Sequence, residues 1–124
     1  MIQSLSTNDV SRVIPLNRKL HAFHVAAVPE VFHDNGGQGE RETYFRDLLA
    51  KPDNFALVWH EAGRDLGYAL FLRSDIGPDL WRSSAKFGLL DHIYVEEDAR
   101  RRGIGLSLIE AGKAPLRKLR FTPQ

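Results

Sequence analysis

Leu89, Leu90, Ile93, Tyr94 and Val95 form a largely apolar run, interrupted by Asp91 and His92, that gives way through Glu96–Asp98 to Arg100, Arg101, Arg102, Gly103, Ile104 and Gly105. Leu106, Leu108, Ile109 and Ala111 follow, and the spacing of Ile104 and Leu108, four apart, is that of an amphipathic helix. Strand, basic loop and helix thus succeed one another without a break. The strand has to be paired in a sheet, and the helix has to lay its apolar stripe on that sheet. The fold class this predicts is α/β, in the sense of α+β, with the loop held at a helix N-terminus.

A helix N-terminus exposes backbone NH groups that have no partner inside the helix, and the helix dipole favours negative charge there. Both demands fit a phosphate. Gly105 in the first turn costs about 1 kcal/mol relative to alanine, which is understandable if a ligand must approach the bare backbone, whereas Gly103 serves the turn itself. Hydrogen bonds to charged groups contribute roughly 1.5 to 3 kcal/mol each, so a few account for much of the about 8 kcal/mol of micromolar binding. The remainder needs a groove for the rest of the ligand.

The 124 residues suit one domain, residues 1–124. Ile2–Leu5 reads as a first strand, and Ser6–Asp9 offers N-caps for a helix from near Val10 to about Ala27. After a loop, Glu40–Ala50 places Tyr44, Phe45, Leu48 and Leu49 at helical spacing. Phe55–Trp59 and Gly67–Leu72 read as a hairpin turning at Glu61–Asp65. Ser74–Ser84 reads as a loop in which Trp81 is expected to pack, ahead of a strand from about Lys86 to Val95. Pro115 is expected to end or kink the last helix, leaving Leu116–Thr122 for a short fifth strand through Leu119 and Phe121.

The pattern Arg100-x-x-Gly103-x-Gly105, set between an apolar strand and an amphipathic helix, resembles the acyl-CoA signature of the GNAT superfamily of N-acetyltransferases. The element order, strand, two helices, hairpin, fourth strand, helix, is similar to that family up to about Ala111. The resemblance implies a mixed, mostly antiparallel sheet flanked by helices. It further implies that main-chain groups of Ile93, Tyr94 and Val95 pair with pantetheine. Amides of Arg101, Arg102, Gly103, Ile104, Gly105 and Leu106 would cradle the pyrophosphate, with Arg100 completing the loop. The implied activity is transfer of acetyl from acetyl-CoA to a primary amine of a small molecule or peptide by direct attack. A family member normally continues with a fifth strand, a fourth helix and a final hairpin, and the helix often carries a tyrosine acid. This chain stops at Gln124, so the last helix, the hairpin and that tyrosine have no counterpart. Two alternatives stand beside the enzyme: an inactive CoA-binding remnant, and a structural or protein-interaction domain.

Amine acetylation needs a base for the attacking nitrogen. Asp91 and His92 are the candidates, Asp91 by the family register and His92 by an ordinary pKa near 6.5. Strand alternation places Asp91 with Ile93 and Val95 and His92 with Tyr94, so that only one faces the acceptor. The resemblance makes the loop between the first two helices an acceptor wall, with Phe23, His24, Phe32 and His33 as candidate contacts. No metal site is expected: cysteine is absent and the histidines show no tight repeated spacing. A net charge of +1, without interleaved aromatic and basic residues, argues against nucleic acid. No run approaches the roughly 18 apolar residues of a membrane span, and Met1–Leu20 lacks a signal-peptide core, so a cytoplasmic location is expected. A shortened sheet with an open edge is expected to pair with a second copy, giving a homodimer that a monomeric mass in light scattering would exclude.

Overall fold

The computed structural model of the chain describes residues 1–34, 36–76, 78, 80–81 and 85–120, and the side chains of all of these except 75–76, 85–87 and 116–120. Strands β1 (Ile2–Ser4), β2 (Phe55–Glu61), β3 (Arg64–Ile76) and β4 (Ala85–Val95) form a sheet in the order β1-β2-β3-β4. Every pairing in it is antiparallel. Helices α1 (Ile14–Ala27) and α2 (Gln38–Ala50) cover one face, and α3 (Ile104–Arg120) covers the other. Alternation along β2 divides the core accordingly. Ala56 and Val58 join Val10, Val13, Ile14, Leu16, Phe45 and Leu70 on the first face, while Leu57 joins Ala69, Phe71, Ile104 and Leu108 on the second. With helices on both sides the strands read as nearly continuous apolar runs, as Phe55–Trp59 does.

The first helical segment differs from its expected start. Thr7–Val13 winds as a 3₁₀ helix, and α-helical geometry sets in at Ile14. Asp9 accepts hydrogen bonds from the Ser6 amide (2.7 Å) and hydroxyl (3.0 Å), which fixes the entry. Pro15 has no amide to donate, and it is tolerated in the first turn of α1, where none is needed. The hairpin is tighter and longer than its apolar runs suggest. Glu61 pairs with Arg64 across a two-residue turn, and Ala62 (φ 50°) and Gly63 (φ 76°) both take the positive φ of such turns. Of the loop expected at Ser74–Ser84, Gly77, Asp79, Arg82, Ser83 and Ser84 lie outside the described residues. Its first part extends β3 instead, since Ser74 pairs with Phe87 and Ile76 with Ala85. Trp81 is 85% exposed.

The largest departure is at the C-terminal end. Leu116–Arg120 continues α3 rather than forming a fifth strand; Phe121 and Thr122 lie outside the described residues. Pro115 removes one helical hydrogen bond, but it stands on the exposed side, where water reaches the freed carbonyl of Ala111. Leu, Arg and Lys beyond it are strong helix formers. Gly112 sets how closely α3 lies on the sheet, because a Cβ there would overlap the ring of Phe71.

Candidate functional site

The loop from β4 to α3 is built to leave amides uncommitted. Arg101 (φ 67°) and Gly103 (φ 79°) both take left-handed backbone, which at Arg101 costs roughly 1 kcal/mol. Among the described residues, no acceptor takes the amide protons of Arg101 to Leu106; the next amide, of Ser107, donates to Gly103 O at 2.9 Å. Alternating backbone signs turn successive NH groups to one side, a concave anion site at a helix N-terminus. Protein packing alone does not require Gly105, because a Cβ there would meet Val95 at an ordinary 3.6 Å. The arginine side chains diverge. Arg100 donates from Nε to Val95 O (2.9 Å) and lies 5.5 Å from the Tyr94 ring centre. Arg102 turns to the hairpin and donates to both Glu61 oxygens (2.7 and 2.9 Å).

Beside the loop, a groove of about 770 Å³ runs between α1 and β4, lined by Lys19, Ala22, Phe23, Ile93, Val95 and Arg100 among others. Its floor is the edge of the sheet, since β4 is the last strand in the order. The Glu96 amide donates to Leu66 O (2.7 Å), so in an antiparallel ladder Tyr94 also turns its main-chain groups to β3. Ile93 and Val95 turn theirs outward, as the bond from Arg100 to Val95 O shows. Two of the three expected main-chain contacts are therefore presented to the groove, and Tyr94 contributes its ring. Lys19 fastens α1 to the end of β4 by donating to both oxygens of Glu96 (2.9 and 2.6 Å).

On the other side of α1 lies a cavity of about 380 Å³, bounded by His21, His24, Phe32, His33, Tyr44 and His92 together with Asn17, Leu20 and Arg41. Of the four candidate acceptor contacts, His24, Phe32 and His33 line this one cavity, whereas Phe23 faces the groove and is 71% exposed. The two sets lie on opposite sides of the same helix: His21 and His24 point one way, and Lys19, Ala22 and Phe23 the other.

Asp91 and His92 do not alternate. Leu70 pairs with His92 but Phe71 pairs with Leu90, so Asp91 is the extra residue of a β-bulge. The bulge brings Asp91 Oδ2 within 3.4 Å of His92 Nε2, correcting the expectation that the two occupy opposite faces. Both lie on the α1–α2 side. Behind His92 runs a chain of polar contacts: Nδ1 is 3.1 Å from Tyr68 Oη, Asn17 Nδ2 donates to that oxygen (3.2 Å), and Arg41 donates to Asn17 Oδ1 (2.8 Å) and Asp34 Oδ1 (2.6 Å). Burial pushes the His92 pKa down against the opposing effect of Asp91, and burial pushes the Tyr68 hydroxyl up. Both rings are thereby kept neutral at pH 7. Sequence reasoning missed Asn17, Tyr68 and Arg41. Tyr68 hides in an apolar strand, but Asn17 left a signal: it falls one turn after Val13 on the buried stripe, where a polar residue needs a partner.

Among the described residues there is no cluster of three or more histidine, cysteine or carboxylate side chains placed for a metal, and no helix is long and apolar enough to cross a membrane. Comparison with the curated proteins finds no match. Solved structures do match in fold. A mutant of the BH1408 protein from Bacillus halodurans superposes with a TM-score of 0.82 at 18% identity, covering 95% of this chain and 75% of that one. An acetyltransferase from Vibrio fischeri gives 0.73 at 18% identity, over 95% and 87%. The aminoglycoside N-acetyltransferase AAC(6')-Iy, solved in complex with CoA, gives 0.67 at 14% identity, over 95% and 71%. The sequence model of the acetyltransferase (GNAT) family matches residues 20–122, which takes in the second half of α1, α2, strands β2 to β4 with the bulge, and the amide-rich loop. The chain belongs to the GNAT acetyltransferase family and is an enzyme of that type.

Proposed function

We propose that the protein transfers an acetyl group from acetyl-CoA to a primary amine of a small molecule or peptide. The observation that carries this reading is the row of amides from Arg101 to Leu106, uncommitted among the described residues, opening onto a groove whose floor is the edge of β4, the last strand of the described sheet. Pyrophosphate sits on those amides. The pantetheine arm runs along the edge, pairing with Ile93 and Val95 as an added strand would. Likeness in fold to an aminoglycoside N-acetyltransferase solved with CoA supports the coenzyme, and the family match supports acetyl transfer.

The thioester end of the coenzyme then comes to β4 beside Asp91 and His92, where the histidine- and aromatic-lined cavity admits the amine. The amine nitrogen attacks the thioester carbon, a C–N bond forms, the C–S bond breaks, and the coenzyme leaves as thiolate. Asp91 takes the proton released by the nitrogen, and water protonates the thiolate. The test is calorimetric titration with acetyl-CoA, followed by detection of free thiol with a panel of primary amines. Micromolar binding and amine-dependent thiol release are expected. Absence of heat at millimolar ligand overturns the coenzyme site, and binding without release from any amine overturns the transferase.

A further inference from the structure

The polar chain behind His92 has a direction. Arg41 carries donors only, so the Asn17 atom 2.8 Å from it is the amide oxygen, and the NH₂ group is turned toward Tyr68. Tyr68 Oη therefore accepts from Asn17, and its single proton must go elsewhere. Tyr68 is wholly buried, Asn17 is 9% exposed and the Arg41 side chain 10%, which leaves little room for a competing water. The acceptor in reach is His92 Nδ1. A neutral imidazole that accepts at Nδ1 carries its proton on Nε2, the atom that faces Asp91 Oδ2 across 3.4 Å.

We propose that Arg41, Asn17 and Tyr68 are positioning residues that lock His92 in its Nε2–H tautomer, making the imidazole a donor toward Asp91 and leaving the carboxylate as the one base of the pair. Both lone-pair positions of His92 are then committed: Nδ1 accepts from Tyr68, and Nε2 holds a proton. The ring has no site with which to take a proton from an amine. Its contribution is an N–H held 3.4 Å from the carboxylate of Asp91, the bulge residue that has no partner across the ladder. The catalytic consequence rests on the acetyl-transfer reading; the tautomer does not.

Nitrogen-15 labelling of histidine and long-range proton–nitrogen correlation at pH 7.5 test the lock directly. Expected is a His92 pattern with Nδ1 unprotonated and Nε2 protonated. Asn17→Asp supplies a group of the same shape that accepts but cannot donate, with Arg41 alongside to offset the new charge. Tyr68 should turn its proton to residue 17, and His92 should flip to Nδ1–H. Tyr68→Phe, which keeps the ring and removes the hydroxyl, should give averaged shifts at both nitrogens and serves if the first variant does not fold. An Nδ1–H pattern in the unmodified protein, or a tautomer indifferent to both variants, overturns the proposal. On the enzyme, both variants should lower kcat by about 10- to 100-fold with the KM for acetyl-CoA unchanged. Thiol release absent from every form, with the tautomer as expected, would strike the acetyl-transfer reading alone.

Discussion

Gly112→Ala is the substitution for which helix propensity and packing disagree most sharply. In an isolated helix alanine is favoured over glycine by about 1 kcal/mol. Here the new methyl would stand 2.6 and 2.9 Å from Phe71 Cε1 and Cε2, and closer still to Cζ. Carbon atoms rest at about 3.5 to 4.0 Å, so the ring or the helix has to move by roughly 1 Å. The ring cannot yield easily: Phe71 is 1% exposed and stacks on Phe55 with centres 4.8 Å apart and planes 15° apart. Overpacking of this kind costs about 1 to 3 kcal/mol, and three clashing atoms against a pinned ring place it at the upper end. Subtracting the propensity gain leaves about 2 kcal/mol of destabilisation. With about 2.1 cal/mol/K per residue over 124 residues, the unfolding entropy is about 260 cal/mol/K, and Tm should fall by about 8 °C. Thermal unfolding by circular dichroism measures it, and Phe71→Leu in the same chain should restore part of the loss. A Gly112→Ala protein as stable as its parent would refute the close approach of α3 to the sheet.

Asp91→Asn should depress turnover at least tenfold while the calorimetric affinity for CoA stays within a factor of about two. Gly105→Glu should do the opposite, abolishing CoA binding by placing a carboxylate among the phosphate-facing amides; the reverse pattern would exchange the assigned roles. Arg102→Ala should alter CoA affinity less than about threefold, since its guanidinium is held by Glu61 and only its amide faces the site. A larger loss would mean that the side chain swings onto the ligand. Hydrogen bonding from Arg12, with a smaller share from His60, holds the Asp65 carboxyl below its ordinary range in spite of burial. A depressed folded pKa adds stability that is complete above about pH 4 to 5 and is lost as pH falls through the folded value. Acid unfolding between about pH 4 and 2 should therefore be shallower in Asp65→Asn, and an unchanged acid slope would count against the contact.

The loop that carries the family resemblance was legible because its residue types are dictated by backbone chemistry: only glycine serves cheaply at the turn of Gly103, and only a helix N-terminus leaves so many amides without partners. The helix periods were likewise readable because one face of each helix is buried, and the strands were readable as apolar runs because both faces of the sheet are covered. What the sequence concealed were features set by register. A single unpaired residue at Asp91 reverses the face on which strand alternation puts it, and no local signal separates Leu90-Asp91-His92 in a bulged strand from the same residues in a regular one. Pro115 misled for a related reason. Its cost depends on whether the freed carbonyl meets water, which is a matter of which side of α3 faces out. Asn17, Tyr68 and Arg41 are far apart in sequence, and their connection exists only once α1, β3 and α2 are packed together.

Helix α1 is the partition between two chambers, with Leu20 bordering both and Lys19 fastened to the strand end. A partition cannot shift toward one chamber without enlarging the other. Whatever occupies the groove and presses on Phe23 or Ala22 therefore changes the fit of whatever enters beside His21 and His24, and the second occupant acts back on the first by an equal free energy. One helix thus ties the two chambers together, whichever of them fills first.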